Sequence, residues 1–388
     1  MNTNNLPTEQ QLLLCVARRN LEADEIVRLR DLVVTQPLDW KRLQNTAVDH
    51  GLLPLLALHI TSHCADLLQP DVLNRLRAEL FTNRESNLYL VSELVRVLAR
   101  FKSADIDVLA FKGPVLGQIA YEDIGFRQAG DLDILIHAKD FNRATELLRD
   151  LAYKMHPQLS PAQAKAHLRF HCATTFVRED SFSVVDLHWG ITPKTFPLAL
   201  TSEDFLSNRK TIHLGSHSIE TLTDEDLIFY LSVHAAKHYF RSLEWMTTLF
   251  ELIRNRPELS WSAVIARARQ AKAERIICLA LMLVESLYGL PVPAEFAELS
   301  NSTELRDTVS KILAFLLANN SEPNALQAFC WKLRFLPTRD ACLSLVRATL
   351  VPTISDWRAF SIPDAIYPAY YLLRPFRLLA KWGGGAEP

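Results

Sequence analysis

The chain has 388 residues, of which 49% are hydrophobic and 22% charged, so a mostly disordered protein is excluded and two or three subdomains with buried cores are expected. Its 42 lysines and arginines against 44 aspartates and glutamates leave a formal net charge of −2. This balance gives no clear nucleic-acid signal, because nucleic-acid-binding domains usually present a strongly basic face.

Neither secretion nor a membrane span is predicted. The N-terminus is polar and has no signal-peptide pattern, and the longest apolar stretch, residues 276–290, is short and contains Glu285. The six cysteines lie far apart without a Cys-x-x-Cys motif, so neither a disulfide framework nor a zinc site is indicated. We expect reduced thiols and a cytoplasmic location.

The organisation along the chain predicts an α+β protein. Residues 1–102 form an N-terminal helical region, and residues 103–220 alternate strand and helix as a compact core. Residues 221–320 form a C-terminal helical domain, and residues 321–388 form a proline-interrupted helical tail region. Apolar periodicity in the third region predicts helices over residues 227–240, 243–253, 261–271, 273–288 and 303–318.

Asp131 and Asp133 stand two residues apart in an apolar run that reads as a strand. Side chains at i and i+2 of a strand point to one face, so both carboxylates project together. A second alternating run, residues 183–189, places Asp186 and His188 on one face in the same way. Adjacent carboxylates repel unless a cation separates them, and Mg²⁺ or Mn²⁺ prefers oxygen ligands. Three such carboxylates suit two-metal phosphoryl or nucleotidyl transfer.

Further motifs surround these carboxylates. A strand at residues 108–111 leads into Lys112-Gly113-Pro114 and a short helix over residues 115–121. Arg127 precedes Asp131, and a helix over residues 141–151 follows the first carboxylate strand. Beyond the core, His234, Lys237 and His238 share one helical surface, with Trp245 further along.

This order of parts resembles the nucleotidyltransferase superfamily whose core is shared with DNA polymerase β. It is most similar to a bacterial branch described as uncharacterised nucleotidyltransferase family proteins. The resemblance covers roughly residues 40 to 290 and rests on the combination of motifs. The motifs that carry it are Phe111-Lys112-Gly113, Arg127 with Asp131-Leu132-Asp133-Ile134-Leu135, Asp186-Leu187-His188-Trp189, and His234 to His238 followed by Trp245.

The resemblance implies a polymerase β-like core with a small mixed sheet, flanked by helical regions. It implies that Asp131, Asp133 and Asp186 are the catalytic and metal-binding residues, with Asp186 also taking the proton of an attacking hydroxyl. Lys112 and Arg127 would neutralise phosphate oxygens, and His188 would hydrogen-bond Asp186 or a phosphate, or serve structurally. The implied nucleotide-binding set is Lys112, Gly113, Arg127, His188, Lys237 and His238.

One motif departs from the superfamily pattern, in which a Gly-Ser turn holds the triphosphate. Here Pro114 follows Gly113, so one N-H donor is removed and no hydroxyl replaces it. Lys112 is the candidate to take over that role.

The predicted function is Mg²⁺- or Mn²⁺-dependent transfer of a nucleoside monophosphate, or a related phosphoryl-linked group, from a nucleoside triphosphate (NTP) such as ATP, with pyrophosphate release. The acceptor would be a hydroxyl or phosphate of a small molecule, sugar or peptide. The alternative is a non-catalytic protein that retains the fold and senses a nucleotide. No motif specifies the acceptor, the preferred base or the oligomeric state.

Overall fold

The computed structural model describes residues 6–35, 38–181, 183–196, 198, 200–318 and 325–383. The first part of the chain is helical, as predicted. Its helices are α1 (Thr8–Val16), α2 (Ala23–Thr35), α3 (Trp40–Asp49), α4 (Leu53–His63) and the long α5 (Pro70–Ser103). They share a hydrophobic cluster that includes Leu12, Leu43 and Ile60, all fully buried.

The central part alternates strand and helix. Its elements are β1 (Val108–Ala110), α6 (Gly113–Tyr121), β2 (Leu132–Ile136), α7 (Phe141–Asp150), β3 (Lys154–His156), α8 (Pro161–Phe170), β4 (Ala173–Arg178) and β5 (Ser183–His188). The strands form one sheet in the order β1-β2-β5-β4-β3, in which only β2 and β5 run parallel and every other pair is antiparallel. This small mixed sheet confirms the predicted α+β class.

Local sequence signals explain several boundaries in this core. Pro114 occupies the first turn of α6, where its missing N-H is not needed for helical hydrogen bonding. Ser160 and Gln163 form a capping box at the start of α8, each side chain accepting from the other's backbone N-H. All five residues of β2 are buried, which suits a strand covered on both faces.

A helical layer follows the sheet. After α9 (Glu203–Leu206) and the hairpin of β6 (Arg209–Leu214) and β7 (His217–Leu222) come α10 (Asp224–Lys237), α11 (Leu243–Arg254), α12 (Trp261–Ala271), α13 (Glu274–Tyr288), α14 (Ala297–Ser300) and α15 (Thr303–Leu317). The five helices predicted here match α10, α11, α12, α13 and α15 to within three residues at each end. The predicted end of α10 at Phe240 is wrong, because Tyr239 and Phe240 have positive φ angles of 58° and 54° that break the helix after Lys237.

The last part forms four helices in spite of its prolines: α16 (Ala325–Phe335), α17 (Thr338–Leu350), α18 (Ile354–Ala359) and α19 (Ala369–Gly383). The predicted tail region also includes residues 321–324 and 384–388, which lie outside the described residues. Helix α19 continues through Pro375. The division of the chain at residues 102, 220 and 320 stays a prediction.

The largest hydrophobic cluster joins the sheet to α5, α6, α7 and the helices from α10 to α15. Short 3₁₀ turns at Ala65–Leu67, Ile124–Phe126, Ala138–Asp140, Ala294–Phe296 and Asp364–Ile366 connect the helices. Among the described residues, no helix is both long and apolar enough to cross a membrane.

Candidate active site

The carboxylates predicted to act together come from the two parallel strands at the centre of the sheet. Asp133 of β2 is in register with Asp186 of β5, and neighbouring strands lie about 4.8 Å apart. His188 stands two residues beyond Asp186 and therefore shares its face. One oxygen or nitrogen from each of Asp133, Asp186 and His188 lies within 4.8 Å of the others. The sheet thus builds a three-donor cluster able to hold a metal ion.

Asp133 is the most enclosed member of this cluster, with 3% of its surface exposed. Its Oδ1 accepts hydrogen bonds from Lys112 Nζ and His188 Nε2, both at 3.1 Å. Although burial favours protonation, Lys112 and His188 hold the pKa of Asp133 well below its usual range. Its Oδ2 is buried without a hydrogen-bond partner among the described residues, so one carboxylate oxygen remains available to a ligand.

His188 bonds to Asp133, whereas the sequence pattern suggested Asp186 or a phosphate. Burial opposes protonation of the imidazole, but the contact with Asp133 raises the pKa of His188 to about 9. The ring also packs edge-on against Phe111, with centroids 5.2 Å apart. The hydrogen bond to Asp133 therefore holds His188 in the cluster.

Asp131 lies just before β2 and is not part of the three-donor cluster. Burial, together with the negative charges of Asp133 and Asp186, raises the pKa of Asp131 to about 6, against the effect of Lys112. A carboxyl group with this pKa is easily ionised by a nearby cation. Asp186 is partly exposed, and its Oδ1 accepts a hydrogen bond from Thr175 Oγ1 of β4 at 2.7 Å.

The turn between β1 and α6 lies against the carboxylate strand. Gly113 has a φ angle of +53°, and a Cβ atom there would meet the Asp131 carbonyl oxygen at 2.7 Å. Only glycine satisfies both constraints without strain. The turn also places Lys112, whose pKa is raised by the Asp133 carboxylate in spite of burial.

Arg127, predicted to neutralise phosphate, has an acidic partner of its own. Its Nε donates to Glu244 Oε1 of α11 at 2.8 Å, and its Nη1 donates to the Gly113 carbonyl at 3.3 Å. Both side chains of this ion pair are largely buried. The structure therefore ties Arg127 to the glycine turn and to α11, and much of its charge is already compensated.

Helix α10 brings a second group of side chains to the cluster. Among the described residues Lys237 has no ion pair, and its pKa is lowered by burial and by the nearby Lys112, while Asp133 and Asp186 oppose this shift. Burial, with Lys237 and Arg241, lowers the pKa of His238 to about 3. A neutral His238 can offer a hydrogen bond but no charge to a phosphate. The rings of His234 and His238 contact Trp245, at centroid distances of 5.1 and 5.6 Å.

Three residues near the cluster were not anticipated from the sequence. Glu244 is one of two buried acids on the largely apolar α11, and a buried acid on such a helix signals an ionic or hydrogen-bonding partner. Tyr230 stands four and seven residues before His234 and Lys237 and so shares their face, and its ring centroid lies 5.7 Å from Lys112 Nζ. Thr175 gave no signal, because its contact with Asp186 depends on strand register.

In the small mixed sheet, the strand of the Asp-x-Asp motif pairs with the strand that carries the third carboxylate, and the glycine turn lies against the first of these strands. This arrangement defines a nucleotidyltransferase-like α+β protein. The sequence matches the family described as Uncharacterised nucleotidyltransferase over residues 36–289, and the chain belongs to this family.

A solved structure of an antigenic nucleotidyltransferase-like protein from Paracoccidioides brasiliensis is similar at 16% identity and a TM-score of 0.28, over 61% of this chain and 95% of that one. No curated protein matches the sequence.

Proposed function

We propose that the protein transfers a nucleoside monophosphate, or a related phosphoryl-linked group, from an NTP to a hydroxyl or phosphate of an acceptor, releasing pyrophosphate. The observation that carries this proposal is the convergence of Asp133, Asp186 and His188 on two parallel strands, beside Lys237, which has no ion pair among the described residues. The acceptor is proposed to be a small molecule, sugar or peptide. We infer a cytoplasmic location, because none of the six cysteines, all within the described residues, forms a disulfide.

The donor set fits a divalent metal such as Mg²⁺ or Mn²⁺. Two carboxylates and an imidazole lie within ligating reach of one another, and Asp133 Oδ2 has no partner among the described residues. Asp133 and Asp186 would hold the metal, with Asp131 as a further carboxylate from the same strand end, and His188 would join them as a ligand on losing the proton that its contact with Asp133 favours. The bound metal would supply Lewis acidity at the phosphoryl oxygens.

The remaining roles belong to the side chains around the cluster. Lys237, which has no acidic partner among the described residues, would donate to phosphate oxygens as a point charge. Lys112 would share its charge between Asp133 and the phosphates. Asp186 is partly exposed and so can receive the proton of an acceptor hydroxyl. Arg127 and Glu244 would hold the Gly113 turn that the triphosphate approaches.

The test is titration of ATP, GTP, CTP and UTP into the purified protein with Mg²⁺ and with EDTA, alongside Mn²⁺ binding followed by electron paramagnetic resonance. We expect NTP binding that needs the metal, and loss of both signals in Asp133→Asn and Asp186→Asn. Asp150→Asn is the matched control, because Asp150 is exposed and pairs with Arg100, whose side chain is also accessible to solvent. Metal and NTP binding retained in both site variants would refute the assignment.

Release of pyrophosphate separates the enzyme from the nucleotide sensor. Asp133 is already paired with Lys112 and His188, an arrangement that a binding protein could also keep. Metal-dependent NTP binding with slow pyrophosphate release that requires Asp133 and Asp186 supports the enzyme. Binding without any consumption of NTP across a panel of hydroxyl and phosphate acceptors would favour the sensor.

Lys237→Ala should weaken NTP affinity about tenfold to a hundredfold, because a hydrogen bond to a charged group contributes about 1.5–3 kcal/mol. Mn²⁺ binding should persist, since the lysine is not a ligand. Lys311→Ala, on an exposed part of α15, is the control. Equal NTP affinity in both variants would make Lys237 a structural residue.

A further inference from the structure

The described residues expose fifteen large hydrophobic side chains, and nine of them lie between residues 345 and 379. This segment is less than a tenth of the chain, so the exposure is concentrated and not scattered. We call six of them, on α17 and α19, the C-terminal apolar face: Val346, Leu350, Leu372, Leu373, Phe376 and Leu379. The two helices that carry these side chains pack against each other. Concentrated exposed apolar surface marks an interaction site.

The outward orientation of α19 is fixed by its inner side. Tyr370 is 1% exposed, and Arg374 and Arg377 both pair with the buried Asp356 of α18. Leu372, Phe376 and Leu379 follow at i, i+4 and i+7 on one stripe, with 72%, 70% and 60% of their surfaces exposed. The helix is thus anchored by its polar and aromatic side while it presents a bulky apolar stripe to the outside.

The C-terminal apolar face lies in a segment of the chain that has a net positive charge. Residues 325–383 contain eight lysines and arginines and three aspartates, an excess of five positive charges, whereas the whole chain carries −2. Arg358 is exposed on α18, and the exposed Arg169 of α8 lies close enough to Tyr371 of α19 to influence its ionisation. Arg374 and Arg377 are held by Asp356, so the positive charge open to a partner is that of exposed residues such as Arg358 and Arg169. An apolar helical stripe accompanied by exposed basic residues is typical of proteins that lie in a membrane interface.

We propose that α17 and α19 dock this C-terminal apolar face onto an anionic lipid bilayer surface, with the stripe of α19 entering the headgroup region. Leucine and phenylalanine supply apolar area to the interface, and the surrounding positive charge favours an anionic leaflet. A symmetric contact between two copies is disfavoured, because a two-fold interface would place the same basic segment against itself. The proposal is independent of the chemistry at Asp133 and Asp186.

The experiment is flotation of the full-length protein with vesicles of phosphatidylcholine alone and of phosphatidylcholine mixed with phosphatidylserine. We expect binding to the anionic vesicles at least about tenfold stronger than to the neutral ones, weakening as salt is raised. The double variant Leu372→Glu/Phe376→Glu should lose binding. Both side chains are so exposed that the fold, checked by circular dichroism and thermal unfolding, should be retained.

The matched control is Val27→Glu/Phe81→Glu, which changes two side chains of similar exposure, 68% and 64%, far from α19 in the sequence. This control should bind anionic vesicles like the unaltered protein. Absence of binding by the unaltered protein, or equal binding by both double variants, would overturn the proposal. Dimers in sedimentation velocity that disappear only in Leu372→Glu/Phe376→Glu, without vesicle binding, would overturn it in favour of a second copy of the chain.

Discussion

Gly113 is required by the backbone conformation of its turn and also helps to position residues of the candidate site. Its positive φ angle ends the extended segment and begins α6, and the absence of a side chain lets the turn approach the Asp131 carbonyl. Because the turn positions Lys112 and accepts a hydrogen bond from Arg127, a change at Gly113 affects the candidate site as well as stability.

Gly113→Ala should lower the free energy of unfolding by about 2–4 kcal/mol, since a left-handed backbone costs about 1–2 kcal/mol and steric overlap adds to it. Gly215→Ala is the control, because Gly215 has a similar φ of +59° but open space around it. Urea denaturation of both variants measures the difference. If the two changes cost the same, the close approach to Asp131 is not tight.

At the scale of elements, the buried pair of Arg127 and Glu244 joins the loop before β2 to α11. Glu244 Oε1 also accepts from Thr248 Oγ1 at 3.0 Å, and the Glu244 backbone N-H donates to the His50 carbonyl at 3.1 Å. A single glutamate therefore links the glycine turn, the helical layer and the N-terminal helices.

Glu244→Ala should destabilise the fold by about 3–5 kcal/mol, because it leaves the Arg127 guanidinium buried without its partner. Glu179→Ala removes an acid whose pair with Lys154 is exposed and should cost at most about 1 kcal/mol. Thermal and urea unfolding provide the comparison. A loss in Glu244→Ala no larger than in Glu179→Ala would mean that water reaches Arg127 readily.

At the scale of the whole molecule, several buried histidines are kept neutral. Burial lowers the pKa of both His59 and His167 to about 4, against a usual value of 6.5. His59 lies in the N-terminal helices, where its Nε2 donates to the Arg18 carbonyl, and His167 lies on α8, where its Nε2 donates to the Ala173 carbonyl. Protonation of these histidines at acid pH should therefore destabilise both the N-terminal helices and the region around α8.

Because the folded-state pKa lies below the unfolded value, the unfolded chain binds more protons between about pH 4 and 6.5, and stability falls as the pH drops through this window. At pH 5 each histidine should cost about 2 kcal/mol relative to pH 7. His59→Gln should reduce the pH dependence of the unfolding free energy by that amount. An unchanged pH dependence would show that His59 is protonated in the folded state.

Ligand binding should also stabilise the whole fold against unfolding, since the strands and α10 that surround the candidate site belong to the largest hydrophobic cluster. Mg²⁺ with an NTP at 100 times its dissociation constant should raise the free energy of unfolding by about 2.7 kcal/mol. Thermal unfolding of the unaltered protein and of Asp133→Asn tests this. A similar rise in Asp133→Asn would place the ligand away from Asp133.

The sequence by itself determined the local features of this protein. Alternation along β5 shows that Asp186 and His188 share a face, because side-chain direction in a strand has a period of two residues. Asp131, predicted to share the face of Asp133, lies just before β2 and outside the three-donor cluster. Apolar periodicity located α10 to α13 and α15 in the same way, since helical and extended patterns depend on neighbours within a few residues.

Only the tertiary structure decided which partners these side chains meet. His188 contacts Asp133 and not Asp186, and Arg127 finds Glu244, 117 residues away along the chain. The outward direction of the apolar stripe of α19 also depends on tertiary contacts, because Asp356 holds Arg374 and Arg377 inward. Such partners are chosen by strand register and helix packing, to which the whole chain contributes, and no local pattern carries that information.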